Sequence, residues 1–382
     1  MDFPSITLQR KAAFARFALM LNTIFLRLCK LIAGFAFMIS PMAMALPPGL
    51  LDNNHPAVQA VIAVQKTVTD SWMQQPEVLG TAVSVNESGT PVLAVYVDRD
   101  AAKAGDVIRD LPKNVRGINV QVHLTDKFRS MKGNPHGGGT SHTALQTPPI
   151  QLGTSGGWSK DLANGFCCGG TLGSLVQIGR DQYILSNYHV FEADIVSGGN
   201  NTVATTGDPI IQPGLIDVNC NVNGAQTVAT LVKKSSLPSS NVDCSVGRVV
   251  AGQIASNGSI LEIGAISRNT VAASIGQAVK KSGRTTGLSR NSIVGLNATI
   301  SVTYDNECAG GTAFTKTFTG QVVVGNKGSK FLNSGDSGSL MVEDVATNPH
   351  PIGLLYAGSS TDAIANPINE VLSFLGAPLV GQ

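Results

Sequence analysis

The spacing of hydrophobic positions changes character along the chain. In residues 56–75, Val58, Val61, Ile62, Val64 and Val68 recur at the three-to-four interval of one helix face. Residues 78–85 and 91–97 are strand-like and flank NESGT at 86–90, a hairpin turn signal. Residues 101–111 suit a second helix, and 118–124 (INVQVHL) alternate as a half-buried strand. The α-β-β-α-β order predicts a compact two-layer module over residues 46–130. Residues 131–158 carry no periodicity and many Gly, Pro, Ser and Thr, which predicts a flexible linker. From 159 onward the chain reads as short strands between glycine-rich turns: 171–177, 183–186, 228–232, 245–250, 278–281, 292–303, 320–324, 339–342 and 352–356. Helical periodicity returns only at 366–375. Many short strands of this kind build sandwiches or barrels.

The first 45 residues have a different purpose. Arg27 and Lys30 precede an apolar run, 31–39, and Ala43-Met44-Ala45 supplies a small-x-small cleavage pattern, so 1–45 reads as a signal peptide. An uncleaved anchor is the alternative, but the run is short against the roughly 20 residues of a spanning helix. The expectation is a secreted or periplasmic protein with no stable membrane span after cleavage.

Composition supports a β-rich reading: of 382 residues, 42 are glycine and only 14% are charged. Without residues 1–45 there are 22 Lys and Arg against 24 Asp and Glu, a net charge of −2. No basic tract remains to collect phosphates, which excludes nucleic acid as a partner. Six cysteines are present, with Cys29 inside the signal. The odd remainder (Cys167, Cys168, Cys220, Cys244, Cys308) implies at least one free thiol or an intermolecular bridge, with one or two internal bridges of open pairing. No CxxC or HxxxH spacing supports zinc. His136 and His142 read as exposed loop residues rather than metal ligands.

Three segments carry candidate chemistry. GDSGS at 335–339 suits a nucleophile turn. Gly335 permits an unusual backbone conformation, and the N–H groups of Gly335 and Ser337 can form an oxyanion hole. Read alone, the segment also fits an ordinary Gly/Ser turn. QYILSNYHV at 182–190 places His189 at the end of a strand, where an imidazole can exchange protons near neutral pH. NVDCSVGRV at 241–249 places Asp243 before an alternating strand, and a buried carboxylate there needs partners such as an imidazole N–H. Asp194, Asp208 and Asp217 are rival acids.

The order His189, Asp243, Ser337, with separations of 54 and 94 residues, resembles the chymotrypsin/trypsin-like serine peptidases over about residues 160–380. α/β-Hydrolases place serine first. The resemblance implies an all-β fold, a double β-barrel of chymotrypsin type, here with a small N-terminal α/β module and a short C-terminal helix. The barrels would span about 159–268 and 269–365, with the site between them. It implies a secreted serine endopeptidase using a His-Asp-Ser triad, acting on a protein or peptide substrate without metal or other cofactor. SGRTTG at 282–287 is similar to a segment of secreted bacterial members, which implies an Arg284–Asp336 ion pair. GLLYAGSS at 353–360 resembles the substrate-binding strand, which brings in Leu355, Tyr356, Ala357 and Gly358. The pocket floor falls near Phe331, with no acid to favour Lys or Arg. Val190 departs from animal trypsins, which have cysteine after the histidine. The 46–130 module is either a removable pro-region or a permanent domain. A catalytically silent binding protein on the same fold, or an esterase or acyltransferase using the same triad, are the alternatives.

Overall fold

The computed structural model describes residues 51–131, 140–163, 166–192, 198–199, 202–304, 310–311 and 314–382. The expected signal segment, Cys29, His136, Asp194 and Cys308 lie outside the described residues.

Helix α1 (Pro56–Trp72) starts where His55 accepts the Ala57 N–H and proline occupies the first turn. Its periodic valines bury one face over strands β1 (Val78–Val85), β2 (Pro91–Asp98) and β3 (Ile118–Thr125), with α2 (Ala104–Asp110) between the last two. β1 and β2 form the hairpin, and β3 joins parallel to β2. Strand β4 (Arg129–Ser130) follows at once.

The first barrel uses β5 (Thr154–Trp158), β6 (Gly170–Leu172), β7 (Ser174–Ile178), β8 (Asp181–Ser186), β9 (Pro209–Gln212), β10 (Gln226–Val232) and β11 (Ser245–Val249). Pairing runs β5–β9–β10–β11–β8–β7, while β6, one residue before β7, pairs back onto β5. The stretch expected as one strand at 171–177 is thus interrupted at Gly173, and that break lets it serve both edges and close a six-membered ring. Trp158, Leu172, Ile184, Ile210, Leu231 and Val246 fill the interior.

The second barrel uses β12 (Ala278–Gly283), β13 (Gly287–Tyr304), β14 (Phe314–Gly325), β15 (Leu340–Glu343), β16 (Pro351–Gly358) and β17 (Asp362–Pro367). The ring β12–β15–β16–β17–β14–β13 closes through β12–β13 pairing. The fold is therefore all-β in its body, two six-stranded rings. Helix α4 (Ile368–Leu375) packs Ile368, Val371 and Leu375 into the first barrel's core, and the last residues bond Leu175 there.

The N-terminal module is continuous with the second barrel. β1 pairs antiparallel with β13, and Val58, Val61, Ile62 and Val64 share a core with Val279, Ile293, Leu296 and Val322. Each such side chain contributes about 1.5–3 kcal/mol when fully buried. Gln65 is buried although polar, because its amide exchanges 2.9 Å hydrogen bonds with Asn297 at a bulge of β13.

The flexible-linker expectation for 131–158 fails over its second half. Ile150 and Leu152 are buried and bond Gln253 and Ser259, and residues 154–158 are strand β5. Their apolar residues are too sparse to show periodicity, yet the barrel needs them to complete a ring. His142 is buried rather than exposed, its Nε2 3.1 Å from both Ser282 Oγ and Glu262 Oε2.

Cys167 and Cys220 form a disulfide, Cys168 is also disulfide-bonded, and Cys244 is a buried free thiol. No helix of the described residues is long and apolar enough to cross a membrane.

Candidate active site

Strand β8 ends at Ser186, and the chain turns into α3 (Tyr188–Phe191), a single helical turn carrying His189. The expected strand-end position of His189 is corrected by this turn. Its cause is Asp243, whose Oδ1 accepts the Tyr188 N–H at 2.7 Å and the His189 N–H at 3.4 Å. Those are orphan donors at a helix start, and a carboxylate suits them.

The other carboxylate oxygen of Asp243 lies 2.6 Å from His189 Nδ1. Asp243 is fully buried and His189 nearly so. Tyr304 at the end of β13 donates its hydroxyl to the same Oδ2 at 2.9 Å. Asn187 and Asn366 fix the aspartate's backbone: Asn187 Nδ2 donates to its carbonyl at 2.7 Å, and its N–H donates to Asn366 Oδ1 at 2.9 Å. Burial, then the Asp243 charge, pushes the phenols of Tyr304 and Tyr356 well above the ordinary tyrosine range. Tyr304 therefore stays a donor. Burial likewise pushes the Cys244 thiol well up, which leaves it unreactive.

Ser337 lies in a tight turn before β15. Gly335 has φ +99° and Gly338 +92°, both costly for any residue with a side chain. The Gly335 N–H donates to the carbonyl of Met131 at 2.6 Å, and the Ser337 N–H reaches the same oxygen at 3.4 Å. Ser337 Oγ donates to the Tyr356 carbonyl at 3.2 Å. His189 Nε2 has no hydrogen-bond partner among the described residues. Thr171 ties the two barrels together beside the site. Its N–H donates to the Ser337 carbonyl at 2.8 Å, its hydroxyl to the Gly335 carbonyl at 2.9 Å, and its own carbonyl accepts Ser186 Oγ at 2.8 Å.

The expected Arg284–Asp336 ion pair is not formed. Arg284 makes a two-bond pair with Asp217, 2.7 Å from Nε and 2.6 Å from Nη2. Asp336 instead lies 3.1 Å from Lys281 Nζ, with both side chains fully buried. Lys281 projects from β12, whereas the Arg284 backbone is drawn aside by Thr171 Oγ1 at 3.0 Å. Thr285 N–H, Thr286 N–H, Thr286 Oγ1 and Asn333 N–H also donate to Asp336. The rival acids have other duties: Asp217 holds Arg284, and Asp208 accepts from Trp158 Nε1 and Lys160 Nζ.

The expected substrate strand is β16. Ala357 and Gly358 pair with Ser130 and Arg129, and the Tyr356 carbonyl accepts the Met131 N–H at 3.1 Å. Leu355 points into the second core, and its backbone bonds Ser339 and Gly338. Phe331 is buried in the cluster that contains Met131 and Leu332. Tyr304, Asn366, Thr171 and Lys281 had no sequence signal, because each is brought in from another strand, whereas Asn187 stands two residues before His189 in the histidine segment itself. Among the described residues no group of His, Cys, Asp and Glu is arranged to hold a metal.

Residues 235–366 match the family profile described as the Nal1 C-terminal domain. No curated protein matches the chain. Solved structures similar to it include a glutamic acid specific serine protease (17% identity, covering 60% of this chain and 100% of that one, TM-score 0.39). Protease A of Thermobifida fusca is similar at 19% identity, covering 56% and 92%, with TM-score 0.37. A Cellulomonas bogoriensis chymotrypsin is similar at 21% identity, covering 56% and 91%, with TM-score 0.35.

Proposed function

We propose that the protein is a serine endopeptidase, acting outside the cytoplasm, with Ser337 as nucleophile, His189 as general base and Asp243 as the group that orients the imidazole. The observation that carries this reading is the direction of the Gly335 and Ser337 N–H groups at one carbonyl oxygen, beside a buried His189–Asp243 pair 2.6 Å apart. Two donors so aimed stabilise a developing oxyanion by several kcal/mol, roughly 3–4 per donor.

In the reaction, Ser337 Oγ leaves the Tyr356 carbonyl by a side-chain rotation and gives its proton to His189 Nε2. Oγ adds to the substrate carbonyl carbon, and the negative oxygen sits on the two N–H groups. The C–N bond breaks as Nε2 returns the proton to the leaving amine. Water then adds to the acyl group by the same route and releases the acid. Asp243 holds Nδ1 protonated and stabilises the imidazolium, and Tyr304 and the Tyr188 N–H keep its oxygens aimed. The Lys281–Asp336 pair supports the turn beneath the nucleophile. The disulfide and the signal-like N-terminus support an extracytoplasmic location.

A fluorophosphonate probe, together with peptide and ester substrates, tests the reading. Labelling of Ser337 that disappears in Ser337→Ala, with peptide turnover, is the expected result. A folded protein that never labels, either intact or with the Met131 side chain removed by Met131→Gly, is a silent binding protein, and turnover of esters alone makes it an esterase.

A further inference from the structure

Arg129, Ser130 and Met131 lie in the cleft as a peptide substrate would. Arg129 pairs parallel with Thr303 on β13 and antiparallel with Gly358 on β16, and Ser130 pairs with Ala357. The Met131 N–H is 3.1 Å from the Tyr356 carbonyl, and the Met131 carbonyl receives the Gly335 and Ser337 N–H groups. Each backbone group that the triad mechanism assigns to substrate is already occupied. Ser337 is fully buried in consequence.

The occupant is held from the module side by built contacts. Phe128 is fully buried and meets Tyr96 edge-on, with ring centroids 5.5 Å apart. Its carbonyl accepts the Thr303 N–H at 2.9 Å. Asp126 accepts Ser360 N–H and Oγ on the turn after β16 and pairs with Arg99 at 3.0 Å. A segment tethered so close competes with free peptide at an effective concentration on the order of millimolar.

Resting on the peptidase reading, we infer that residues 129–131 are a substrate-like occupant of the chain's own cleft, with Met131 filling the primary specificity pocket. The substrate class of the enzyme is therefore peptides with methionine or a similar unbranched apolar residue at that position. The pocket's shape carries the side-chain choice. Met131 shares a buried apolar cluster with Phe331, Leu332 and Leu355. Gly358 makes the room: a Cβ there would lie 2.8 Å from Met131 Cε and 3.2 Å from Leu332 Cδ2. The cleft takes free substrate only when this segment is displaced.

The test uses the full chain in a Ser337→Ala background, so that binding is read without turnover. The probe is a fluorescein-labelled Phe-Arg-Ser-Met amide, followed by anisotropy. Met131→Asp puts a carboxylate into an apolar pocket and should raise probe affinity at least tenfold over Ser337→Ala alone. Met131→Gly, which removes the side chain without adding charge, should do the same in smaller measure if the Asp variant fails to fold. A probe with Asp or Arg in place of Met should bind at least tenfold more weakly to the opened protein. Equal affinity with and without Met131, or no preference for Met, overturns the inference. With Ser337 restored, an opened protein that binds the Met probe but hydrolyses no peptide overturns the peptidase reading and leaves the cleft assignment standing.

Discussion

Replacing Lys281 by methionine keeps nearly the same volume and removes one buried charge. Lys281 and Asp336 are both fully buried with 3.1 Å between Nζ and Oδ1. At an effective dielectric of about 20, that separation corresponds to an attraction of roughly 5 kcal/mol. Four donors remain on Asp336 from Thr285, Thr286 and Asn333, so the stranded carboxylate is not bare. The expected loss is therefore about 3–4 kcal/mol, toward the lower part of the range of roughly 3–5 for breaking a buried pair. Burial lowers the Lys281 pKa while Asp336 raises it, and burial prevails. The assay is urea unfolding of wild type, Lys281→Met, Asp336→Asn and the double variant, with the coupling read from the cycle. Because Asp336 adjoins Ser337, turnover should fall with stability in Lys281→Met and recover in part when Asp336→Asn removes the unpaired charge. A loss under about 1 kcal/mol in the single variant, or coupling near zero, would refute the assignment of Lys281 as the counter-charge.

Tyr304→Phe deletes the hydroxyl on Asp243 and should lower kcat/KM roughly tenfold, since a hydrogen bond to a charged group contributes about 1.5–3 kcal/mol; steady-state peptide hydrolysis reads it, and an unchanged value removes Tyr304 from the site. Cys167→Ser opens a disulfide across a sequence separation of 53 and should cost up to about 4 kcal/mol by chain entropy, measured as a lower urea midpoint. Burial lowers the His142 pKa below its ordinary 6.5, with Lys281 lowering and Glu262 and Asp336 raising it in smaller measure. The unfolded chain therefore binds the proton more readily, so stability falls as pH drops through 6.5 toward the folded value. His142→Gln should flatten that slope between pH 7.5 and 5, and an unchanged slope would assign it elsewhere.

The sequence alone determined the parts that depend on neighbours along the chain. Valines at 58, 61, 62 and 64 declare a helix because a helix face repeats every three to four residues. The hairpin at 78–97 follows from strand residues around a turn. Gly335 marks a turn because positive φ demands glycine there. The order of His189, Asp243 and Ser337 limits which arrangements of a nucleophile, base and acid the chain can resemble.

The tertiary structure decided everything that depends on who meets whom across the barrels. Arg284 and Lys281 stand three residues apart, and only strand register settles that Asp336 faces Lys281. Residues 131–158 looked like linker because their few apolar side chains follow no period, yet ring closure buries Ile150, Leu152 and Trp158. Tyr304 reaches Asp243 from 61 positions away. Met131 entered the cleft because β1 is paired to β13, which fixes where the module's last strand ends. Local periodicity records which face of an element is apolar. It carries no record of the distant surface against which that face, or a buried charge, is finally placed.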